Sequence, residues 1–114
     1  MTRRALLVLI ACVAIAAPAA ALASTGTTGN TAGSHTIVLQ NLRFHPGTLT
    51  IKRGESVTWV WHDGNIAHNV TGPGFHSRTQ SHGSFTVRFT HTGTFDYRCT
   101  IHMAEGMIGK IIVR

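Results

Sequence analysis

Cys99, His102 and Met107 lie close together in the run YRCTIHMAEGM, residues 97–107, and a His68-Asn69 pair precedes them by about thirty residues. One thiolate, two imidazoles and a thioether make a soft-to-borderline donor set that suits copper. Thiolate and imidazole bind both Cu(II) and Cu(I), and a weak, distant thioether tunes the reduction potential, so the chemistry would be one-electron transfer. Taken singly, each residue has a plainer reading: His68 as an ordinary strand-end histidine, Cys99 as a small buried hydrophobe, Met107 as core packing. Their order and spacing together point to a metal centre.

Such a centre needs rigid elements to hold it. From His35 onward, short runs rich in Ile, Val, Thr and aromatic residues alternate with Gly, Pro and polar turn residues, and no segment sustains a 3.6-residue period. Strands are expected over 36–40, 49–51, 56–61, 85–90, 94–99 and 109–113. Val57, Trp59 and Trp61 share one face, as do Phe85, Val87 and Phe89, and both tryptophans read as core. The stretch 62–82 is the least regular, and a short helix there stays open. The pattern predicts an all-β fold, a two-sheet antiparallel sandwich with Greek-key connections. In such a fold Cys99 ends a strand, His102 lies in the loop beyond it, and Met107 stands where the chain turns into the last strand. One hairpin thus carries a thiolate, an imidazole and a thioether, and His68 must come from a neighbouring strand end. Met103 is the other thioether nearby, but its adjacency to His102 makes it geometrically poor.

These segments resemble the cupredoxins, the type 1 blue copper proteins. Phe44-x-Pro46-x-x-Leu49-x-Ile51-x-x-Gly54-x-x-Val57-x-Trp59 is similar to their N-terminal half, and Asn65-Ile66-Ala67-His68-Asn69-Val70 to their first-histidine segment. Gly93-Thr94-Phe95-Asp96-Tyr97-x-Cys99 and Met107-x-Gly109-x-Ile111-x-Val113 resemble their last two strands, with the C-x2-H-x4-M spacing of plastocyanin and pseudoazurin between them. The resemblance covers residues 35–114. It implies one copper ion with His68, Cys99, His102 and Met107 as ligands. It also implies that the Asn69 backbone N–H lies near the Cys99 sulfur and that the Asn69 side chain ties the two ligand loops together. The edge of His102 would emerge through an apolar patch with Met103 and Ala104 and act as the electron port. The chain departs from the family at Ile101, where proline is usual, so the loop is expected to be less stiff. Plastocyanin's acidic docking patches have no counterpart, and a photosynthetic partner is not implied.

The N-terminus has the marks of a secretory signal peptide over 1–23: Arg3 and Arg4, an apolar stretch, and Ala21-Leu22-Ala23 before Ser24. The expected location is the periplasm or the extracellular face of the membrane. Sec export is expected, with a twin-arginine route open. Membrane association follows if the leader is retained or if Cys12, which ends a lipobox-like Leu9-Ile10-Ala11-Cys12, is lipidated. Cleavage removes Cys12 and leaves Cys99 as a lone thiol, which no internal disulfide can use. Residues 24–34, STGTTGNTAGS, read as a flexible linker, and 35–114 as the cupredoxin domain.

After residue 23 the chain carries eight Lys and Arg against four Asp and Glu. That balance favours redox partners with acidic docking surfaces. The basic residues are scattered along an exported chain, which excludes a nucleic-acid binder. Asp63, Asp96 and Glu105 form no convincing acid–base pair, and no Ser-His-Asp order stands out. A copper nitrite reductase or multicopper oxidase would need further domains and histidine-rich sites, so no enzyme is expected. His76 and His82 are the loop histidines with possible extra Cu or Zn affinity. The expected function is a monomeric one-electron carrier; the alternative is a periplasmic copper chaperone or storage protein.

Overall fold

Alternation of apolar and polar residues sets the inner faces of two sheets in the computed structural model, which describes residues 33–114. The expected signal peptide, and the expected linker up to residue 32, lie outside the described residues. Nine strands follow: β1 (Ser34–Gln40), β2 (Arg43–His45), β3 (Thr48–Ile51), β4 (Ser56–Trp61), β5 (Thr71–Gly72), β6 (Phe75–His76), β7 (Ser84–Arg88), β8 (Gly93–Arg98) and β9 (Ile108–Val113). One sheet has the order β2-β1-β4-β7 and the other β3-β9-β8-β5-β6. Gly33 already bonds the sheet, its carbonyl accepting from Ser56 N at 3.2 Å.

The period-two reading gives the inward faces. Val57, Trp59 and Trp61 are buried on β4, and Ile37 and Leu39 on β1. Ile111 and Val113 are buried on β9 and face the same core, together with Phe44, Ile51, Phe89 and Tyr97. Trp59 sits at its centre, edge-on to Tyr97 at 5.3 Å and stacked on Phe75 at 5.8 Å. Each such fully buried large side chain is worth about 1.5–3 kcal/mol. Cys99 is free, so no disulfide supports the described residues, and this core must carry the domain.

The expected all-antiparallel pairing needs correction at two places. β1 pairs with β4 in parallel, from Ser34 opposite Ser56 to Leu39 opposite Trp61. β3 pairs with β9 in parallel, from Thr48 opposite Lys110 to Ile51 opposite Val113. Burial alternates identically in parallel and antiparallel strands, so the sequence pattern does not separate them. The informative feature is the connection. Residues 41–55 are long enough to carry the chain through β2, across to β3 in the other sheet, and back parallel to β1.

Two further differences are local. β7 ends at Arg88, two residues before the expected strand end, because Phe89 N and O bond instead to Glu55 O and Gly54 N. The stretch 62–82 contains no helix; it holds β5, β6 and an isolated bridge between His68 and Gln80.

Candidate metal centre

β8 brings Cys99 to the site. Phe95 and Tyr97 point inward along the strand, and the next residue on that face is Cys99, fully buried. The chain then turns: His102 N donates to Cys99 O, and a single 3₁₀ turn forms over Met103–Glu105. Gly106 has φ 85°, a left-handed conformation that suits glycine. It sends the chain back so that Met107 N donates to His102 O and Cys99 N donates to Met107 O, at 3.2 and 3.1 Å. The loop is thereby closed by its own main chain. Met107 is fully buried, whereas Met103 is half exposed.

His68 arrives from the other side. Its main chain exchanges hydrogen bonds with Gln80 at 2.9 and 3.0 Å, and its carbonyl also accepts from Trp61 Nε1 at 3.0 Å. The His68 and His102 Nδ1 atoms lie 3.1 Å apart, and Cys99 Sγ lies 3.9 and 3.6 Å from them. This is the one such group of three metal-binding side chains among the described residues. The donor set fits a metal by size as well as by chemistry. A point equidistant from three atoms at these separations lies roughly 2.1 Å from each, within the range of bonds from a first-row metal to imidazole nitrogen and thiolate sulfur.

Hydrogen bonds fix the surroundings. Asp63 Oδ2 accepts from His68 Nε2 at 2.8 Å, which leaves Nδ1 with its lone pair toward Cys99. Burial opposes ionisation of Asp63, but bonds from His68 and from the backbone N–H groups of Leu42 and Asn41 outweigh it and hold the carboxyl below the usual aspartate range. Asn69 N lies 3.5 Å from Cys99 Sγ. The Asn69 side chain donates to Thr79 and Thr100 hydroxyls, and its oxygen accepts from Thr100 N and the Thr71 hydroxyl, at 2.8–3.0 Å. It thus spans the His68 and Cys99 segments.

A sequence model of the copper-binding proteins of the plastocyanin/azurin family matches residues 31–114. The chain belongs to that family. Its cofactor is one type 1 copper ion, and its fold is the cupredoxin fold. A chloroplastic plastocyanin of Tetradesmus obliquus is 34% identical over 87 residues, covering 64% of this chain and 59% of the relative. The chain thus spans about three fifths of that relative. Amicyanin-alpha of Methylorubrum extorquens is 33% identical over 90 residues, covering 72% of this chain and 73% of the relative. The copper-resistant cuproprotein CopI of Rubrivivax gelatinosus is 26% identical over 105 residues, covering 68% and 64%. A Cu(I) structure of an amicyanin mutant superposes with TM-score 0.64 at 25% identity, over 71% of this chain and 82% of that one.

Three groups at this cupredoxin centre escape sequence reading. Asp63 is discounted as an acid–base residue, yet it anchors His68. Trp61, read as core, also holds the His68 carbonyl. Arg43 reaches the ligand loop, donating to Glu105 O. Only Asp63, five positions before His68, had a signal, since a carboxylate near a metal histidine is a common way to fix its tautomer. His76 and His82 are exposed, and neither joins a group of three ligating side chains among the described residues.

Proposed function

We propose that this cupredoxin is an exported one-electron carrier whose copper is held by His68 Nδ1, Cys99 Sγ, His102 Nδ1 and the Met107 thioether. The convergence of two imidazole nitrogens and one thiolate at bonding radius carries the reading. Burial favours Met107 over Met103 as the thioether that would help hold the metal. Bound copper supplies a one-electron couple. The protein's part is to keep the ligands still. Cys99 is flanked by a closed main-chain loop, His68 is pinned at both its ring and its carbonyl, and Asn69 joins the two segments, so a change of charge finds little that can move. The Asn69 N–H toward Cys99 Sγ stabilises negative charge on sulfur and tunes the potential.

His102 is the ligand nearest solvent, and its neighbours Ile101 and Met103 are about half exposed, as is Ile66 beside His68. This apolar surface excludes water from a docked partner and gives the electron a short exit through the imidazole. Exposed Arg43 and Arg98 stand beside the ligand loop, which suits a partner with an acidic face. The carrier has no substrate chemistry of its own and works as a monomer in the periplasm or outside the cell, following the leader sequence.

Copper handling is the second reading, favoured by the likeness to a protein named for copper resistance. One experiment separates the two. The domain is loaded with one equivalent of Cu(II), its visible spectrum is recorded through reduction and reoxidation, and Cys99→Ser is the control. Intense blue colour that bleaches reversibly and is lost in the variant is expected. A weakly absorbing protein that gives up copper readily to a competitor would overturn the carrier reading in favour of copper handling.

A further inference from the structure

We infer that the turn joining β1 to β2 is a brace that positions both copper-bearing segments. Gln40 pairs with Arg43, so the turn has two residues, Asn41 and Leu42, with φ of 55° and 56°. Two left-handed residues in succession are the geometry of a tight hairpin. Asparagine tolerates it, and leucine adopts it only when its surroundings compel it. Here the compelling group is Asp63. Consecutive N–H groups in this conformation point together and form an anion-binding concavity. Asp63 fills it: Oδ1 accepts from Asn41 N at 3.0 Å and Oδ2 from Leu42 N at 3.1 Å. The same Oδ2 accepts from His68 Nε2.

The turn's other side reaches the second segment. Arg43 Nη1 donates to Leu42 O at 2.9 Å and to Glu105 O at 2.6 Å, and its guanidinium lies beside Gly106. One short stretch of chain therefore grips the His68 ring through a carboxylate and the 99–107 loop through a guanidinium. Asn69 joins the same two segments on the sulfur side. The brace joins them on the outer side, at the far nitrogen of one histidine and behind the loop of the other. Asp63 and Arg43 touch none of the atoms facing the metal position, so both are positioning residues. Their effect is to fix the His68 tautomer and the seat of the loop before metal arrives.

The inference rests on the copper-site reading only for its consequence in metal retention; the test is read first on metal-free protein. Imidazole ¹⁵N shifts report the His68 tautomer, and amide exchange at Glu105, Gly106 and Met107 reports the loop, in Asp63→Ala, Arg43→Ala, the double variant and Asp96→Ala as an exposed control. Wild type and the control are expected to show a single Nε2–H tautomer and a protected loop. Asp63→Ala is expected to mix the tautomers and also to speed exchange in a loop it does not touch. The double variant is expected to do less than the sum of the logarithms, because both arms hang on one turn. Loaded with copper, each single variant should bind it about 10–100-fold more weakly. Unchanged loop exchange in Asp63→Ala, or additive logarithms, would overturn the brace. If Asp63→Ala does not fold, Asp63→Asn and Arg43→Lys replace the alanine variants under the same criteria. Metal-free effects as expected in a protein that fails to hold copper would sink the copper-site reading and leave the brace standing.

Discussion

The 99–107 loop and the His68 segment meet at one centre but are held by different means. The loop's successive turns bond to one another through the main chain: His102 N to Cys99 O, Gly106 N to Met103 O, Met107 N to His102 O and Cys99 N to Met107 O. The His68 segment has one isolated bridge to Gln80 and main-chain bonds only at its ends, Ile66 N to Asp63 O and Ser77 N to Val70 O; between them it is fixed by side chains: Trp61, Asp63, Asn69, Thr79 and Thr100. A locally closed loop keeps its shape with few outside anchors, here Arg43 on Glu105 O and Asn69 on Thr100. A segment hung on distant side chains is exposed to each of them.

The largest test of that contrast is Asn69→Ala. It removes four hydrogen bonds and leaves Thr100 N without its acceptor at a part-buried position. A loss of about 2–4 kcal/mol is expected in urea unfolding of the metal-free domain, with a red- or blue-shifted copper band once loaded. Insensitivity of both would mean the web is redundant. Next comes Gly106→Ala, which puts a Cβ on a left-handed residue and should cost about 1–2 kcal/mol. Its disturbance should stay within the loop, read as amide exchange at 103–107 with no change at His68 or Gln80. Spread to the His68 segment would show that the grip of Arg43 beside Gly106 outweighs the loop's own closure.

Trp61→Phe deletes the indole N–H from His68 O but leaves the bond from Gln80 N. A loss of about 1 kcal/mol is expected from the hydrogen bond, measured by thermal unfolding, with faster exchange at His68 than anywhere in the loop. The smallest effect concerns Glu55, at the end of the sandwich far from the ligand loop. The Lys52 backbone N–H and then the His35 side chain hold its carboxyl below the usual glutamate range. Because the folded value is lowered, its contribution is present above the unfolded value and is lost as pH falls through the folded one. Glu55→Gln should therefore flatten the acid limb of the stability curve slightly and leave the copper spectrum unchanged; a spectral change would deny the two ends their independence.

The same contrast explains what could be read in the sequence. The placing of Cys99, His102 and Met107 in one closed loop was legible because spacing within a hairpin is a sequence property. The alternation that buries Val57, Trp59 and Trp61 was legible for a similar reason. Strand direction was not, since a period of two is blind to it, and the parallel pairs β1–β4 and β3–β9 depend on where a fifteen-residue connection travels. β2, β5 and β6 are too short to leave a pattern. Asp63 and Arg43 act through contacts 22 and 62 positions away along the chain. Such contacts exist only once both sheets have formed.

The parallel pairing of β3 with β9 also has a consequence for the order of assembly. β9 is the last of the described strands, yet it lies inside its sheet between β3 and β8. The residues that converge on the metal position, apart from His68, are all delivered in the stretch leading into it. A nascent chain has the core of the first sheet long before it has β9, and long-range pairings of this kind form late and slowly. The loop therefore takes its closed form, with Cys99 N donating to Met107 O, only when β9 is seated between its neighbours.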